Sequence, residues 1–174
     1  MNRRKLLKKS LLIGAAGAIG GSSIWLMNGY DTNKLTIEQA IIDLQSIYLL
    51  PVKVTGGWNL SQIFNHLAQS IEYSMTGYPQ HKSDTFKSTV GQSAFSVFAI
   101  RGKMNHDLIE PIPGAPILGA GNKLLAFSRL LTALNDFKNY LGPLQPHFAY
   151  GELTHQEYTH AHVMHINNHL EVLA

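Results

Sequence analysis

Thr154-His155-Gln156-Glu157-Tyr158-Thr159-His160-Ala161-His162-Val163-Met164-His165-Ile166-Asn167-Asn168-His169-Leu170 is the stretch whose reading decides how this chain folds. Thr154 and Glu157 stand in the capping-box pattern that opens a helix, and the spacing predicts one reaching about Val172. Successive residues of a helix advance about 100° around its axis, so His162, His165 and His169 fall within roughly 60° of arc. His155 lies close to the same line, and His160 points to the opposite side. His165 and His169, at i and i+4, sit one turn apart on one face. That spacing lets two imidazoles reach a single cation at about 2.0–2.1 Å per bond. His155 lies almost four turns from His169, too far to share that cation.

Working back from this helix, other starts and stops recur at bundle-like intervals. Thr36-Ile37-Glu38-Gln39 is a capping pattern followed by Ile37, Ala40, Ile41, Leu44, Ile47 and Tyr48 at helical spacing, and Pro51 closes it. Asn59-Leu60-Ser61-Gln62 is a second cap, leading into Leu60, Ile63, Phe64, Leu67 and Ile71 before Gly77 and Pro79. A third apolar run starts near Asn122, from Leu124 to Phe137, and stops at Gly142-Pro143. Some 45 residues of weaker pattern separate the second and third of these helices. Within them Ala94–Ile100 reads as a short helix or a strand. Pro111-Ile112-Pro113-Gly114-Ala115-Pro116 is irregular, because three prolines in six positions remove backbone donors. Connections this long are usually functional lids or crossovers. The expectation is an all-α fold, a four-helix bundle with a long connection between helices 2 and 3, formed by residues 31–174 as one domain.

Two ligands do not hold a metal, so a third must come from another helix. His66 is the natural candidate, since it stands beside Leu67 and one turn after Ile63, at the edge of the second helix's apolar stripe. Alone, such a histidine is more often a buried hydrogen-bonding residue. Beside a histidine pair on another helix of the same bundle, the ligand reading gains weight. The metal candidates are therefore His66, His165 and His169. His162 could be a further ligand, a proton shuttle or a lining residue. Tyr158, on the same face, and Glu72, six residues after His66, are weaker candidates for acid–base or hydrogen-bonding roles. Trp58, Phe64, Phe95 and Phe98 read as core or pocket wall.

Composition narrows the function classes. The 174 residues include no cysteine, which removes disulfides, thiolate metal sites and cysteine nucleophiles together. The net charge of +3 is deceptive. Arg3, Arg4, Lys5, Lys8 and Lys9 bring five charges to residues 1–28 without an acid, and the rest of the chain holds nine Lys and Arg against eleven Asp and Glu. A mildly acidic domain lacks the footprint for nucleic-acid backbones. The basic head precedes an uncharged, glycine- and alanine-rich stretch from Leu11 to Met27, the pattern of a membrane-targeting segment. Arg3, Arg4, Leu7 and Lys8 resemble a twin-arginine export signal. Ala16-Gly17-Ala18 offers a small-residue cleavage site, while the stretch to Met27 is about long enough to span a bilayer. Residues 1–30 are thus expected to send the protein to the periplasm or cell envelope, as a removed signal or a retained anchor. Membrane contact is expected through this segment alone.

Trp58-Asn59-Leu60-Ser61-Gln62-Ile63-Phe64-Asn65-His66-Leu67-Ala68 resembles the W-x-x-x-Q-I-x-x-H-L-A segment of DinB-like proteins. His147-Phe148-Ala149-Tyr150-Gly151-Glu152-Leu153-Thr154, followed by His162, His165 and His169, resembles that superfamily's last helix and preceding loop. The resemblance covers about residues 34–173 and extends to a branch that shares a Pro-Gly-Ala-Pro stretch, as at 113–116. It implies a four-helix bundle holding a divalent metal through three histidines, here His66, His165 and His169. Better-known relatives in the superfamily are thiol-dependent S-transferases and an isomerase, in which the metal activates a low-molecular-weight thiol.

Three neutral imidazoles leave a cation its full charge and an open position, which suits hydrolysis or thiol transfer on a small molecule. Zinc or nickel matches an all-imidazole set best. The alternatives are a non-catalytic metal-binding envelope protein and a metal-free bundle. A homodimer is compatible with either metal reading.

Overall fold

The structure is a computed structural model, which describes residues 32–173; the targeting segment anticipated at residues 1–30 lies outside them. Five helices follow a short 3-10 turn: α1 (Ile37–Tyr48), α2 (Leu60–Thr76), α3 (Gln92–Arg101), α4 (Lys123–Lys138) and α5 (His155–Leu170). Four of them form the expected bundle, with α2 and α4 the most closely paired. The fold is all-α, and among the described residues the only β-type pairings are isolated bridges.

The caps read from sequence start the helices. Asn59 accepts from the backbone of Gln62 while the Gln62 side chain accepts from the backbone of Asn59, a complete capping box. Thr154 and Glu157 repeat it at α5. At α1 only half of the pattern forms. Thr36 accepts from the Gln39 backbone, but the Gln39 side chain turns away to Asp43 at 2.9 Å. Asn122 caps α4 by accepting from Leu124 and Leu125.

The core lies between α1, α2, α4 and α5. Leu44, Phe64, Leu130, Leu134 and Phe137 are fully enclosed there, each worth roughly 1.5–3 kcal/mol relative to exposure. The pairing of α2 with α4 is fastened at its edge by Arg129, whose guanidinium donates to both Glu72 carboxylate oxygens and to Asn65.

The long connection contains a helix. Ala94–Ile100 is the body of α3, and a π-helical turn at Lys87–Gly91 leads into it. α3 packs against α5, and Gly91 at its start is pressed onto the loop before α5. A Cβ at Gly91 would lie 1.9 Å from the Ala149 carbonyl oxygen, so only glycine fits this approach. The rest of the connection, residues 102–121, is irregular, as its prolines require. Buried Met104 and Ile112 anchor it. Its far end docks on α2, where Gln62 donates to the Leu118 carbonyl and the Gly121 N–H donates to Ser61 Oγ.

Candidate metal centre

α2 and α5 bring His66, His165 and His169 together, and the connection adds His106. One potential ligand atom from each of the four rings lies within 4.8 Å of all the others. His66 and His169 are fully enclosed, and His165 and His106 are half-buried. The i, i+4 spacing does what a helix makes it do: the rings of His165 and His169 have centres 4.9 Å apart. His66 faces both, at 5.0 and 5.1 Å. His106 closes the set at 4.8 Å from His165 and 5.1 Å from His169. Four rings gripping one tetrahedral ion would have centres about 5 Å apart.

Atomic distances agree with that arrangement. Nε2 of His66 and Nε2 of His165 are 3.2 Å apart. Two nitrogens bound to a common ion at about 2.1 Å stand about 3.0–3.4 Å from one another. Enclosed side-chain nitrogens without a hydrogen-bond partner occur, among the described residues, only on histidines of this cluster: His66 Nδ1, His106 Nε2 and both nitrogens of His169. Leaving one such group unsatisfied costs roughly 1–3 kcal/mol, and a shared ion, taking one nitrogen from each ring, would relieve His106 Nε2 and one nitrogen of His169. The donor set therefore fits a divalent cation.

Electrostatics prepare the rings for that role. Burial lowers the pKa of His66 to about 4, assisted by the neighbouring His106. His169 is lowered to about 2, first by burial and then by His66 and His106. His165 is pushed well below its ordinary value by burial and by the crowd of adjacent imidazoles. Burial also lowers His106, against the opposing pull of Asn168, Glu110 and Asp107. All four are thus neutral near pH 7, the form that binds metal.

Neighbouring residues set their orientation. Asn168 Oδ1 accepts from the backbone N–H of His106 at 3.2 Å and from its ring Nδ1 at 2.8 Å. An amide oxygen only accepts, so Nδ1 carries the proton and Nε2 keeps the lone pair for the cluster. Trp58 lies parallel to His169 at 6.2 Å and tilted over His66 at 4.9 Å. The loop carrying Trp58 is itself tied to the chain beyond α5, where the Thr55 N–H and hydroxyl both donate to the Val172 carbonyl.

The other residues singled out by sequence have different partners. His162 is buried one turn before His165, with Nε2 3.2 Å from Ser74 Oγ, and stands apart from the four-histidine set. The Tyr158 hydroxyl donates to the Gln145 carbonyl at 2.7 Å. Glu72 is paired with Arg129. His155 stacks on Phe137 and reaches its carbonyl, and His160 is half-exposed. His106 escaped the sequence reading because it follows no helical period. Its one signal was Asn168, a polar residue next to His169 that had to find a partner.

A cavity of about 190 Å³ opens directly against the cluster. His66, His106 and His165 line it, together with the apolar side chains of Met104, Ile112 and Phe148.

Residues 30–174 match the family described as Protein of unknown function (DUF1569), and the chain belongs to that family. No curated protein and no solved structure matches the chain.

Proposed function

We propose that this DUF1569 chain is a metal-dependent enzyme of DinB-like kind, acting on a small molecule as a hydrolase or a thiol-dependent S-transferase. The observation that carries the reading is the cavity placed against three of the four imidazoles. A site that only stores or buries an ion has no need of such a space, whereas a substrate must reach the ion from one side. Zinc or nickel suits the all-imidazole donor set. A divalent ion held by neutral ligands keeps its charge, lowers the pKa of bound water toward about 7 and binds and deprotonates a thiol. His66, His165 and His169 would hold the ion from the bundle, and His106 would reach it from the connection. The low-molecular-weight thiol is the natural co-substrate on the DinB-like reading. The basic, glycine-rich N-terminal segment supports export to the cell envelope before or without removal of that segment.

A second reading has its own observation. Four imidazoles complete the coordination of tetrahedral zinc, which favours a non-catalytic metal-binding protein. Cobalt substitution of the untagged full chain separates the two. Strong visible absorption that a small thiol leaves unchanged would mark a closed four-coordinate site and sink the enzyme reading. A weaker, thiol-responsive spectrum would support it. His165→Ala should abolish stoichiometric metal; full retention of metal in that variant would sink both.

A further inference from the structure

Two further histidines, His147 and His162, line the cavity, and the fold fixes the tautomers of both. His147 opens a tight turn in which its backbone pairs with Gly151 in both directions, at 2.7 and 3.1 Å. Its ring Nδ1 accepts from the N–H groups of Ala149 and Tyr150, each at 3.2 Å. The lone pair there is used, so the ring proton sits on Nε2. Stacking on Tyr150 at 4.2 Å and an edge contact with Tyr78 at 5.1 Å hold the ring in place.

His162 has the same tautomer but is held by its other nitrogen. Ser74 donates its only hydroxyl proton to the Ile71 carbonyl at 2.6 Å, so its oxygen must accept from His162 Nε2. Nδ1 of His162 is left with a bare lone pair. Both side chains line the cavity, and neither free nitrogen belongs to the sealed, partnerless atoms. The interior wall therefore presents one N–H donor and one lone-pair acceptor, both uncharged. Lys82 and Glu110, the charged residues lining the cavity, are exposed.

We propose that His147 and His162 form a neutral recognition pair, and that the cavity takes an uncharged small molecule offering one acceptor and one donor, the chemistry of a primary amide. A ligand acceptor meets Nε2–H of His147, and a ligand N–H meets Nδ1 of His162. This inference rests on the cavity being the substrate site, while the pair itself is built by Ser74 and the 147–151 turn and needs no ion.

The test uses the full chain with ¹⁵N-labelled histidine, with zinc and without it. Long-range ¹H–¹⁵N spectra should report the Nε2–H tautomer for His147 and for His162 in both preparations. Acetamide, acetone and acetate have nearly the same shape but offer different groups. Acetamide should shift His147 Nε2 and His162 Nδ1 and bind about 3- to 10-fold tighter than acetone, the difference one hydrogen bond makes. His162→Phe should erase that preference. The opposite tautomer at either ring, equal binding of acetamide and acetone, tighter binding of acetate, or no binding of acetamide would each overturn the proposal. A chain that takes up no zinc yet shows both tautomers and prefers acetamide would defeat the metal reading and leave this one standing.

Discussion

A single oxygen, Oδ1 of Asn168, receives two hydrogen bonds from His106, one from its backbone and one from its ring, across 62 residues of sequence. The contact makes an irregular segment deliver an imidazole to the cluster with the accuracy of a helix, because the acceptor sits on α5 one residue before His169. Second partners of this kind typically change metal affinity 10- to 100-fold.

Asn168→Leu should therefore weaken zinc binding by about 10- to 100-fold while leaving the helical content intact. Competition against a chelator of known affinity measures it. An unchanged dissociation constant would show that His106 needs no help or takes no part.

His106 and His162 should separate cleanly. His106→Ala should lower metal affinity, whereas His162→Phe, at a ring bonded to Ser74 outside the cluster, should keep one metal per chain. Elemental analysis of the two variants beside wild type is the measurement. Loss of metal from His162→Phe alone would exchange their roles.

Acid should destabilise the metal-free protein in a defined window. An unfolded histidine takes its proton near pH 6.5, but burial lowers folded His66 to about 4 and His162 to about 3. Between those values the unfolded chain binds more protons than the folded one, so stability falls as pH falls from about 6.5 toward 4. Above that range these rings contribute no slope. The urea midpoint should drop from pH 7 to pH 5 and stay level from pH 7 to pH 8. A midpoint that holds at pH 5 would mean the rings are not buried in neutral form.

Gly91→Ala should cost about 1–3 kcal/mol, since its new methyl would meet the Ala149 carbonyl oxygen and force α3 away from the loop. Urea unfolding gives the loss. The same variant should disturb the histidine ¹⁵N signals of His147, whose Nδ1 bonds to the neighbouring N–H groups of that loop.

The parts of the molecule that were legible in the sequence are those governed by short-range rules. Asn59 with Gln62 and Thr154 with Glu157 cap helices through contacts three residues apart, so the residue types alone announce them. The adjacency of His165 and His169 follows from helical pitch, and the place of His66 from the apolar stripe beside it. Glu72 shows where such reasoning stops. Its place six residues after His66 made it a candidate for an acid–base or hydrogen-bonding role, but its carboxylate is held by Arg129, 57 residues away, and no local pattern reveals that. His106 was hidden for the same reason. Its position depends on Met104 and Ile112 burying themselves and on one amide of α5, all of them long-range effects in a segment with no period.

Because His106 travels on the same segment that lines the cavity, an ion held by all four histidines would also stitch that segment down. Scarcity of the ion would then leave the segment fastened at this point by Asn168 alone, and the protein's susceptibility to proteases between residues 102 and 121 would become a gauge of how well the cell is supplied.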